Sequence, residues 1–314
     1  MVYRQQILVG KFSKKMKWLI LGGNGQLGTE LQFKLHSEGQ DFLAPSKDEL
    51  NIENPKRIRE YLILKEPEIV VNAAAWTNVD LAESNSDKVK LLNTDSAIQI
   101  FEVCNQLQCK FFQISTDYVF SGSRDTPWLE YDEMRPISVY GNSKAAAELH
   151  ILNNLTENSI ILRTAWLYSP WRNNFVKTII KKAINNSEPI SVVSDTFGQP
   201  TSASDLAKQI YIMGNSSINS GIYHGTNSGV STWFEFAAKI LTLGGFNTER
   251  LIPITSNNIN SQAKRPQYSV LSHQNWKQNN IDPMRDWEIA LEESYPKILN
   301  QVIAENYISN DEIK

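Results

Sequence analysis

The chain has 314 residues, 41% of them hydrophobic, and a formal net charge of -3 at pH 7. This length suffices for one large α/β domain with a smaller companion, and the hydrophobic share is typical of a globular protein. The small net charge argues against a nucleic-acid partner, and no apolar run reaches the roughly 18 residues that a membrane span needs.

The N-terminal segment carries basic side chains but only a short apolar stretch, Ile7–Val9. A secretory signal needs a longer apolar segment. We therefore expect residues 1–15 to be a flexible extension, Met16 to be a candidate start, and the protein to be cytoplasmic. The cysteines, Cys104 and Cys109, are too few for a disulfide framework and are expected to be buried thiols.

The first half of the sequence alternates between short apolar runs and amphipathic stretches. The apolar runs predict buried parallel strands, and Asn54 followed by Pro55 is typical of a helix start. The predicted strands are Lys17–Leu21, Asp41–Ala44, Ile69–Ala73, Phe111–Ser115 and Ile160–Arg163. The predicted helices are Gln26–Ser37, Pro55–Lys65, Asp87–Gln106 and Val139–Leu155.

This alternation predicts an α/β fold, a Rossmann-type doubly wound parallel sheet with a smaller C-terminal α/β substrate-binding domain. We expect residues 16–168 to form the NADP-binding domain and residues 169–314 mainly the substrate-binding region. The segment at about 189–213 could return to the first domain. Pro189–Ser194 and Ile222–His224 could extend the sheet or build the smaller domain. Ligands of such sheets collect at the C-terminal ends of the strands.

A glycine-rich segment follows the first predicted strand and opens the first helix. Gly22, Gly25 and Gly28 are spaced three apart, which suits a tight turn, close approach of a pyrophosphate to bare backbone, and close packing of helix on strand. The helix N-terminus adds unpaired N–H groups for the phosphates. The alternative is a glycine-rich turn that binds nothing.

The end of the second predicted strand bears on the choice of cofactor. NAD-binding sheets usually carry an acid there for the ribose diol. Here Ser46 and Lys47 could instead meet a 2′-phosphate, although Asp48 and Glu49 follow directly and a solvated lysine is the alternative. We expect NADP(H), with NAD(H) as the second choice.

Tyr140 and Lys144 stand four residues apart and share one face of a predicted helix. A cation beside a phenol favours the phenolate and lowers the pKa towards the range useful for proton transfer. The pattern alone is common and usually marks a surface pair. Thr116, at the end of the preceding strand, strengthens the prediction because its hydroxyl could bind the same substrate oxygen that Tyr140 protonates.

Together these motifs resemble the extended short-chain dehydrogenase/reductase superfamily, and within it the dTDP-4-dehydrorhamnose reductase family. The likeness runs from Lys17 to beyond Arg265. It rests on the glycine loop, on Ser115–Phe120 and on Tyr140–Lys144. Further matching strings are Val71–Thr77, Val79–Glu83, Arg163–Trp166, Asn173–Phe175, Phe197–Thr201 and Arg265–Pro266.

The resemblance implies NADPH-dependent reduction of the 4-keto group of a nucleotide-activated 6-deoxy sugar, dTDP-4-dehydro-β-L-rhamnose above all. The implied catalytic residues are Thr116, Tyr140 and Lys144, the last two also touching the cofactor. The implied cofactor-binding residues are Gly25, Gln26, Leu27, Asn51, Ile52, Ala74, Ala75 and Trp76. The implied substrate-binding residues are Thr116, Asp117, Trp166, Asn174 and Arg265.

The sequence departs from the family pattern at several positions. Asn51 stands where Asp is frequent beside the adenine, Trp76 where histidine is common, and Ser121 where Asp or Pro is usual. The family can bind Mg²⁺ at a dimer contact through a glutamate on the first helix. Glu30 is in that place, although an exposed glutamate is the simpler interpretation, and a homodimer is a further expectation.

Two alternatives stay open. A regulatory subunit of methionine adenosyltransferase resembles these reductases and binds NADP as a partner protein, but the intact Thr116, Tyr140 and Lys144 argue against it. A related sugar-nucleotide epimerase would hold NAD tightly and need no external reductant. A 4,6-dehydratase normally carries Asp-Glu after the hydroxyl, whereas Asp117 is followed by Tyr118.

Overall fold

The computed structural model describes residues 17–185 and 187–311, with side chains up to residue 306. The expectations for residues 1–15 and for Met16 lie outside this part of the chain. In the first half the strands are β1 (Lys17–Leu21), β2 (Asp41–Leu43), β3 (Ile69–Asn72), β4 (Lys110–Thr116) and β5 (Ser159–Thr164). The helices there are α1 (Gln26–Ser37), α2 (Pro55–Lys65), α3 (Val79–Glu83), α4 (Ser86–Lys90), α5 (Ser96–Leu107) and α6 (Val139–Asn153).

The second half has shorter strands and longer loops. Its strands are β6 (Leu167–Tyr168), β7 (Ile190–Val193), β8 (Phe197–Gly198), β9 (Thr201–Ser202), β10 (Gly221–His224), β11 (Ser231–Thr232) and β12 (Leu251–Ile254). Its helices are α7 (Phe175–Asn185), α8 (Ala203–Gly214), α9 (Trp233–Leu243), α10 (Gln274–Gln278) and α11 (Trp287–Asp311).

Six parallel strands form the central sheet, in the order β10-β5-β4-β3-β1-β2. The central strands β1 and β3 are buried because helices cover both faces, which is why their sequences are almost continuously apolar, whereas β2 at the edge is partly exposed. The strand order reverses at β1, because β2 lies on one side of it and β3 on the other. Crevices for ligands form at such a point, outside the C-terminal ends of the strands. The predicted doubly wound sheet is confirmed.

The predicted elements of the first half are confirmed, with one exception. The single helix predicted over Asp87–Gln106 is instead α4 and α5 joined by a π-helical turn, Leu91–Asp95. In that turn Asn93 and Thr94 are buried, and both bond Ser143 of α6. Such turns are rare and frequently lie at functional sites.

The second half contributes to both parts of the molecule. β10 extends the central sheet beside β5, and α8 packs on α1. β7 lies outside that sheet and pairs with β12. A separate apolar cluster joins α7, α9 and α11 around Phe236 and Leu291. Within the described residues no helix combines the length and apolar character of a membrane span.

Candidate active site

A cavity of about 540 Å³, here called the reaction cavity, opens at the C-terminal ends of β4 and β5, against the start of α1. Most of the residues expected in the site line this single space. They are Gly25, Gln26, Leu27, Gly28, Ala75, Thr116, Asp117, Tyr140, Lys144, Trp166 and Asn174. Residues far apart in sequence meet there because parallel strands end at one edge of the sheet.

The glycine loop needs its first glycine for the fold itself. Gly22 has φ of 84°, and a Cβ there would lie 2.7 Å from the backbone nitrogen of Ala74. Gly25 differs, because it is the N-cap of α1 with an extended backbone and lines the cavity. The loop therefore presents bare backbone and the open N-terminus of a helix of 12 residues to the cavity, as a phosphate-binding turn requires.

Thr116, Tyr140 and Lys144 lie on one wall of the reaction cavity. Burial, together with the nearby Asp117, raises the pKa of Tyr140 to about 12, although the Thr116 hydroxyl acts to lower it. The expectation that Lys144 lowers this pKa is wrong for the structure, because desolvation of the phenolate dominates. A phenol of this kind is fully protonated at neutral pH and is ready to donate a proton.

Lys144 is fully enclosed and donates to the carbonyl oxygen of Ile114 at 2.6 Å. Burial lowers its pKa to about 8, against the opposing effect of Glu148 one turn along the helix. Asn93 bonds the hydroxyl of Ser143 at 3.0 Å and both backbone groups of Trp76. The π turn thereby ties β3's C-terminal loop to the helix that carries Lys144.

Several buried polar atoms in the reaction cavity have no partner in the described part of the chain. They are the Ser115 and Thr164 hydroxyls and one carboxylate oxygen of Asp117. The other oxygen of Asp117 accepts from Thr116 at 3.0 Å. Burial raises the pKa of Asp117 to about 6, although the neighbouring hydroxyls of Ser269 and Thr116 act to lower it. Because unpaired buried polar groups are costly, this cavity is suited to a ligand rich in hydroxyl groups.

Trp166 forms a flat wall of the reaction cavity. Its backbone φ is 45°, and its ring stacks on Trp233 with centroids 3.6 Å apart. A Cβ at Gly198 would lie 2.5 Å from the same ring. A tryptophan in a left-handed conformation is strained and persists only where its surroundings hold it. Trp233 and Gly198 therefore fix Trp166 in the cavity that Thr116, Tyr140 and Lys144 also line.

A second cavity, of about 320 Å³, lies on the other side of the glycine loop and is here called the adenosine cavity. Lys47 is exposed there and pairs with Glu53 at 2.9 Å. A 2′-phosphate would have to compete with Glu53 for this ammonium. The expected residues that line the adenosine cavity are Gly22, Gly25, Lys47, Asn51, Ile52, Ala74 and Ala75.

A third cavity, of about 730 Å³, adjoins the reaction cavity and shares Tyr118, Phe175 and Trp233 with it. Arg265 lines this third cavity, and its guanidinium pairs with Asp80 at 2.6 Å. The hydrogen bond from Arg265 holds the pKa of Asp80 below its usual value. The ion pair joins the C-terminal half of the chain to α3.

Two of the residues expected to bind substrate or cofactor do not line the reaction or adenosine cavity. Arg265 lines the third cavity, whereas the other expected substrate residues, among them Asn174, line the reaction cavity, where Asn174 donates to Gln26 at 2.9 Å. Trp76 is not among the residues lining the reaction or adenosine cavity, and its ring nitrogen donates to the carbonyl of Asn78.

Glu30 is buried, which corrects the expectation of an exposed glutamate. Its carboxylate accepts from the indole of Trp171 at 2.7 Å and lies 3.9 Å from the ammonium of Lys297. The described residues contain no group of three or more acidic, histidine or cysteine side chains that could hold a metal. Mg²⁺ at Glu30 would need ligands from a second copy and would face a resident cation, so one chain by itself does not fit the ion.

No sequence motif predicted that Glu53, Arg172 or Trp233 would line these cavities. Each reaches its cavity from a loop or helix that carries no glycine or Tyr–Lys signal. The available signal for Arg172 was its position directly before Asn173–Phe175, one of the strings that carry the resemblance.

Comparison with known proteins places this site in a family. The RmlD substrate binding domain family matches residues 16–300. A probable dTDP-4,6-dihydroxy-2-methyloxan-3-one 4-ketoreductase of Streptomyces antibioticus is 38% identical, covering 90% of this chain and 96% of the relative. A dTDP-4-dehydrorhamnose reductase of Streptomyces griseus is 36% identical, covering 90% and 94%.

A solved structure extends the comparison to the fold. The dTDP-4-dehydrorhamnose reductase of Bacillus anthracis, crystallised in complex with NADP, has a TM-score of 0.85 and 35% identity, covering 90% of this chain and 99% of the other. The match spans both halves of the molecule, and most of the motifs that suggested the resemblance contribute residues to the reaction cavity. The chain belongs to the RmlD substrate-binding family, with the dTDP-4-dehydrorhamnose reductases among its relatives.

Proposed function

We propose that the protein is an NADPH-dependent oxidoreductase that reduces the 4-keto group of dTDP-4-dehydro-β-L-rhamnose to give dTDP-β-L-rhamnose. The observation that carries the proposal is a single cavity with the glycine loop on one side and Thr116, Tyr140 and Lys144 on the other. The relatives named as 4-keto sugar reductases, and the NADP in one of their crystal structures, support the same reaction.

Thr116, Tyr140 and Lys144 each have a distinct role in this reaction. NADPH, when bound, supplies the hydride for the carbonyl carbon. Tyr140 gives its proton to the carbonyl oxygen as negative charge grows there, and Thr116 turns its hydroxyl proton away from Asp117 to donate a hydrogen bond to the same oxygen. Lys144 holds the nicotinamide ribose. The unpaired Ser115 and Thr164 hydroxyls, and the Asp117 carboxylate oxygen that does not accept from Thr116, are proposed to bind the sugar.

The natural test is an NADPH oxidation assay with dTDP-4-keto-6-deoxy-L-mannose, with the product identified by NMR. We expect one NADPH consumed for each dTDP-L-rhamnose formed. A product with the opposite configuration at C4 would mean that the protein is instead a reductase that forms 6-deoxy-L-talose. No NADPH turnover with any keto sugar, together with copurification of a methionine adenosyltransferase, would favour the regulatory alternative.

The proposal also includes the cellular compartment and the oligomeric state of the protein. We propose the cytoplasm as the compartment, in keeping with the free, buried thiols of Cys104 and Cys109. We also propose a homodimer, to be checked by light scattering. Repeating that measurement with and without Mg²⁺ shows whether a shared ion at Glu30 contributes to it.

A further inference from the structure

Arg172 belongs to the segment between β6 and α7, outside the βαβ unit that carries the glycine loop. Its Nε donates to the carbonyl oxygen of Asn24, in that loop, at 2.8 Å. Its backbone φ is 58°, a left-handed conformation that an arginine adopts only when its surroundings hold it there. The side chain is therefore positioned over the loop at some conformational cost.

The segment around Arg172 is fastened to the start of α1 by a set of polar contacts. The Gln26 carboxamide oxygen accepts from Ser169 at 3.0 Å and from Asn174 at 2.9 Å. The Gln26 nitrogen donates to the carbonyl of Leu167. One turn further along α1, Trp171 donates to Glu30 and stacks on Phe33. These contacts hold the arginine's attachment point fixed relative to the glycine loop.

Arg172 also lies at the junction of two cavities. It lines both the reaction cavity and the adenosine cavity, as do Gly25, Ala73 and Ala75. Among these shared lining residues it is the one with a charge. Within the described part of the chain its two terminal nitrogens have no hydrogen bond or ion pair, whereas its Nε is bonded to Asn24, so the terminal nitrogens are available to a ligand.

A dinucleotide whose two halves occupy the two cavities must carry its diphosphate across this junction, past Gly25. Arginine is suited to that place because its planar fork can give two parallel hydrogen bonds to phosphate oxygens. We propose that Arg172 binds the diphosphate of the dinucleotide, closing the glycine loop from the substrate-binding side. The inference rests on the proposed NADPH-dependent function.

The test is a set of binding titrations followed by NADPH and NADH fluorescence, which do not depend on turnover. Arg172→Gly removes the guanidinium, and glycine readily adopts the left-handed backbone conformation of this position, so the fold should be kept. Arg172→Gln is a second variant that removes the charge but keeps a polar side chain. Loss of a charge-assisted contact should weaken binding of NADPH and of NADH alike, by roughly tenfold or more. Lys47→Ala is the matched control and should weaken NADPH binding while sparing NADH.

Adenosine 2′-monophosphate, which lacks the diphosphate, sharpens the comparison. Its displacement curve should be unchanged by Arg172→Gly and weakened by Lys47→Ala. Unaltered affinity for both cofactors in the Arg172 variants, or a loss confined to NADPH, would overturn this inference alone. Failure of the unmutated protein to bind either cofactor would overturn the proposed function and this inference with it.

Discussion

Tyr140 is the residue on which the proposed proton transfer depends. Tyr140→Phe keeps the ring and removes only the hydroxyl, so turnover should fall by about 10²–10⁴-fold, the usual share of general acid catalysis. NADPH affinity should stay at the unmutated level because the ring still fills its place. Stopped-flow or steady-state NADPH oxidation measures the first quantity and a fluorescence titration the second.

A matched control for Tyr140→Phe is Tyr223→Phe, which also removes a buried phenolic hydroxyl. Tyr223 donates to the carbonyl of Asn219, which precedes β10. This bond therefore lies towards the N-terminal ends of the strands, whereas the reaction cavity lies at their C-terminal ends. Turnover should be retained in this control. Near-normal keto-sugar reduction by Tyr140→Phe would contradict the assignment and leave Tyr140 and Lys144 as a helix pair without chemistry.

The buried carboxylate of Asp117 lowers the stability of the folded protein at neutral pH. Its pKa is about 6 in the folded protein against an ordinary value of 3.8. Between these values the folded form holds more protons than the unfolded form, so stability falls as pH rises through that window and stays lower above it. Asp117→Asn should therefore stabilise the cofactor-free protein at pH 7, by up to about 3 kcal/mol, because one pKa unit corresponds to about 1.4 kcal/mol.

Thermal melts of both proteins at pH 7 and at pH 4 check this prediction. The melting temperature of Asp117→Asn should exceed that of the unmutated protein at pH 7, and the difference should shrink as the pH is lowered. A variant that is equally stable or less stable at pH 7 would mean that the unpaired carboxylate oxygen is solvated. Activity should fall in either case, since the sugar loses a charged acceptor.

At the scale of secondary-structure elements, two glycines of the glycine loop have different roles. Gly22 is needed for the fold, whereas Gly25 is expected to be needed for cofactor binding. Gly25 is extended, with φ of -79°, which any residue can adopt, and a Cβ there would lie 3.2 Å from the carbonyl oxygen of Gly22, which would have to move by a few tenths of an ångström. Gly25→Val should stay folded and lose NADPH binding, because its branched side chain would occupy the space beside the loop. A fluorescence titration together with a circular dichroism melt distinguishes the two effects.

The matched variant is Gly22→Ala, at a position with positive φ and a backbone clash. It should lower the melting temperature, since strain of this kind costs on the order of 1–3 kcal/mol. Normal NADPH binding by Gly25→Val would mean that the loop does not hold the phosphates.

At the scale of the whole molecule, the ion pair of Arg265 and Asp80 connects the two halves beside the third cavity, which Arg265 lines. Both side chains are partly exposed, so the pair should add at most about 1 kcal/mol to stability. Arg265→Ala should leave the melting temperature nearly unchanged. If the guanidinium binds the nucleotide sugar, the KM for that substrate should rise about tenfold or more, with NADPH affinity unaltered.

Substrate-saturation kinetics at fixed, saturating NADPH measure this effect. Asp80→Asn serves as the companion variant: it leaves the guanidinium in place and removes only its partner, so the rise in KM should be smaller. Equal KM values for Arg265→Ala and the unmutated protein would remove Arg265 from the substrate site.

Individual residues show where prediction from sequence succeeded and where it failed. The strand β3 and the N-cap Asn54, whose side chain accepts from Lys56 and Arg57, follow from apolar runs and local capping chemistry. The π turn at Asn93 was missed because it arises from contacts with α6, not from its own sequence. The direction of the Tyr140 pKa was wrong because burial depends on everything packed around the ring.

The sequence by itself determined the α/β class, the glycine loop and the Tyr140–Lys144 pair, since these follow from local periodicity and from spacing along one helix. Only the tertiary structure decided which distant residues share a cavity. Arg172 reaches the glycine loop, and Trp233 fixes Trp166, across more than 60 residues of chain in each case. Such encounters depend on how helices and loops pack after the sheet has formed, and no local pattern encodes them.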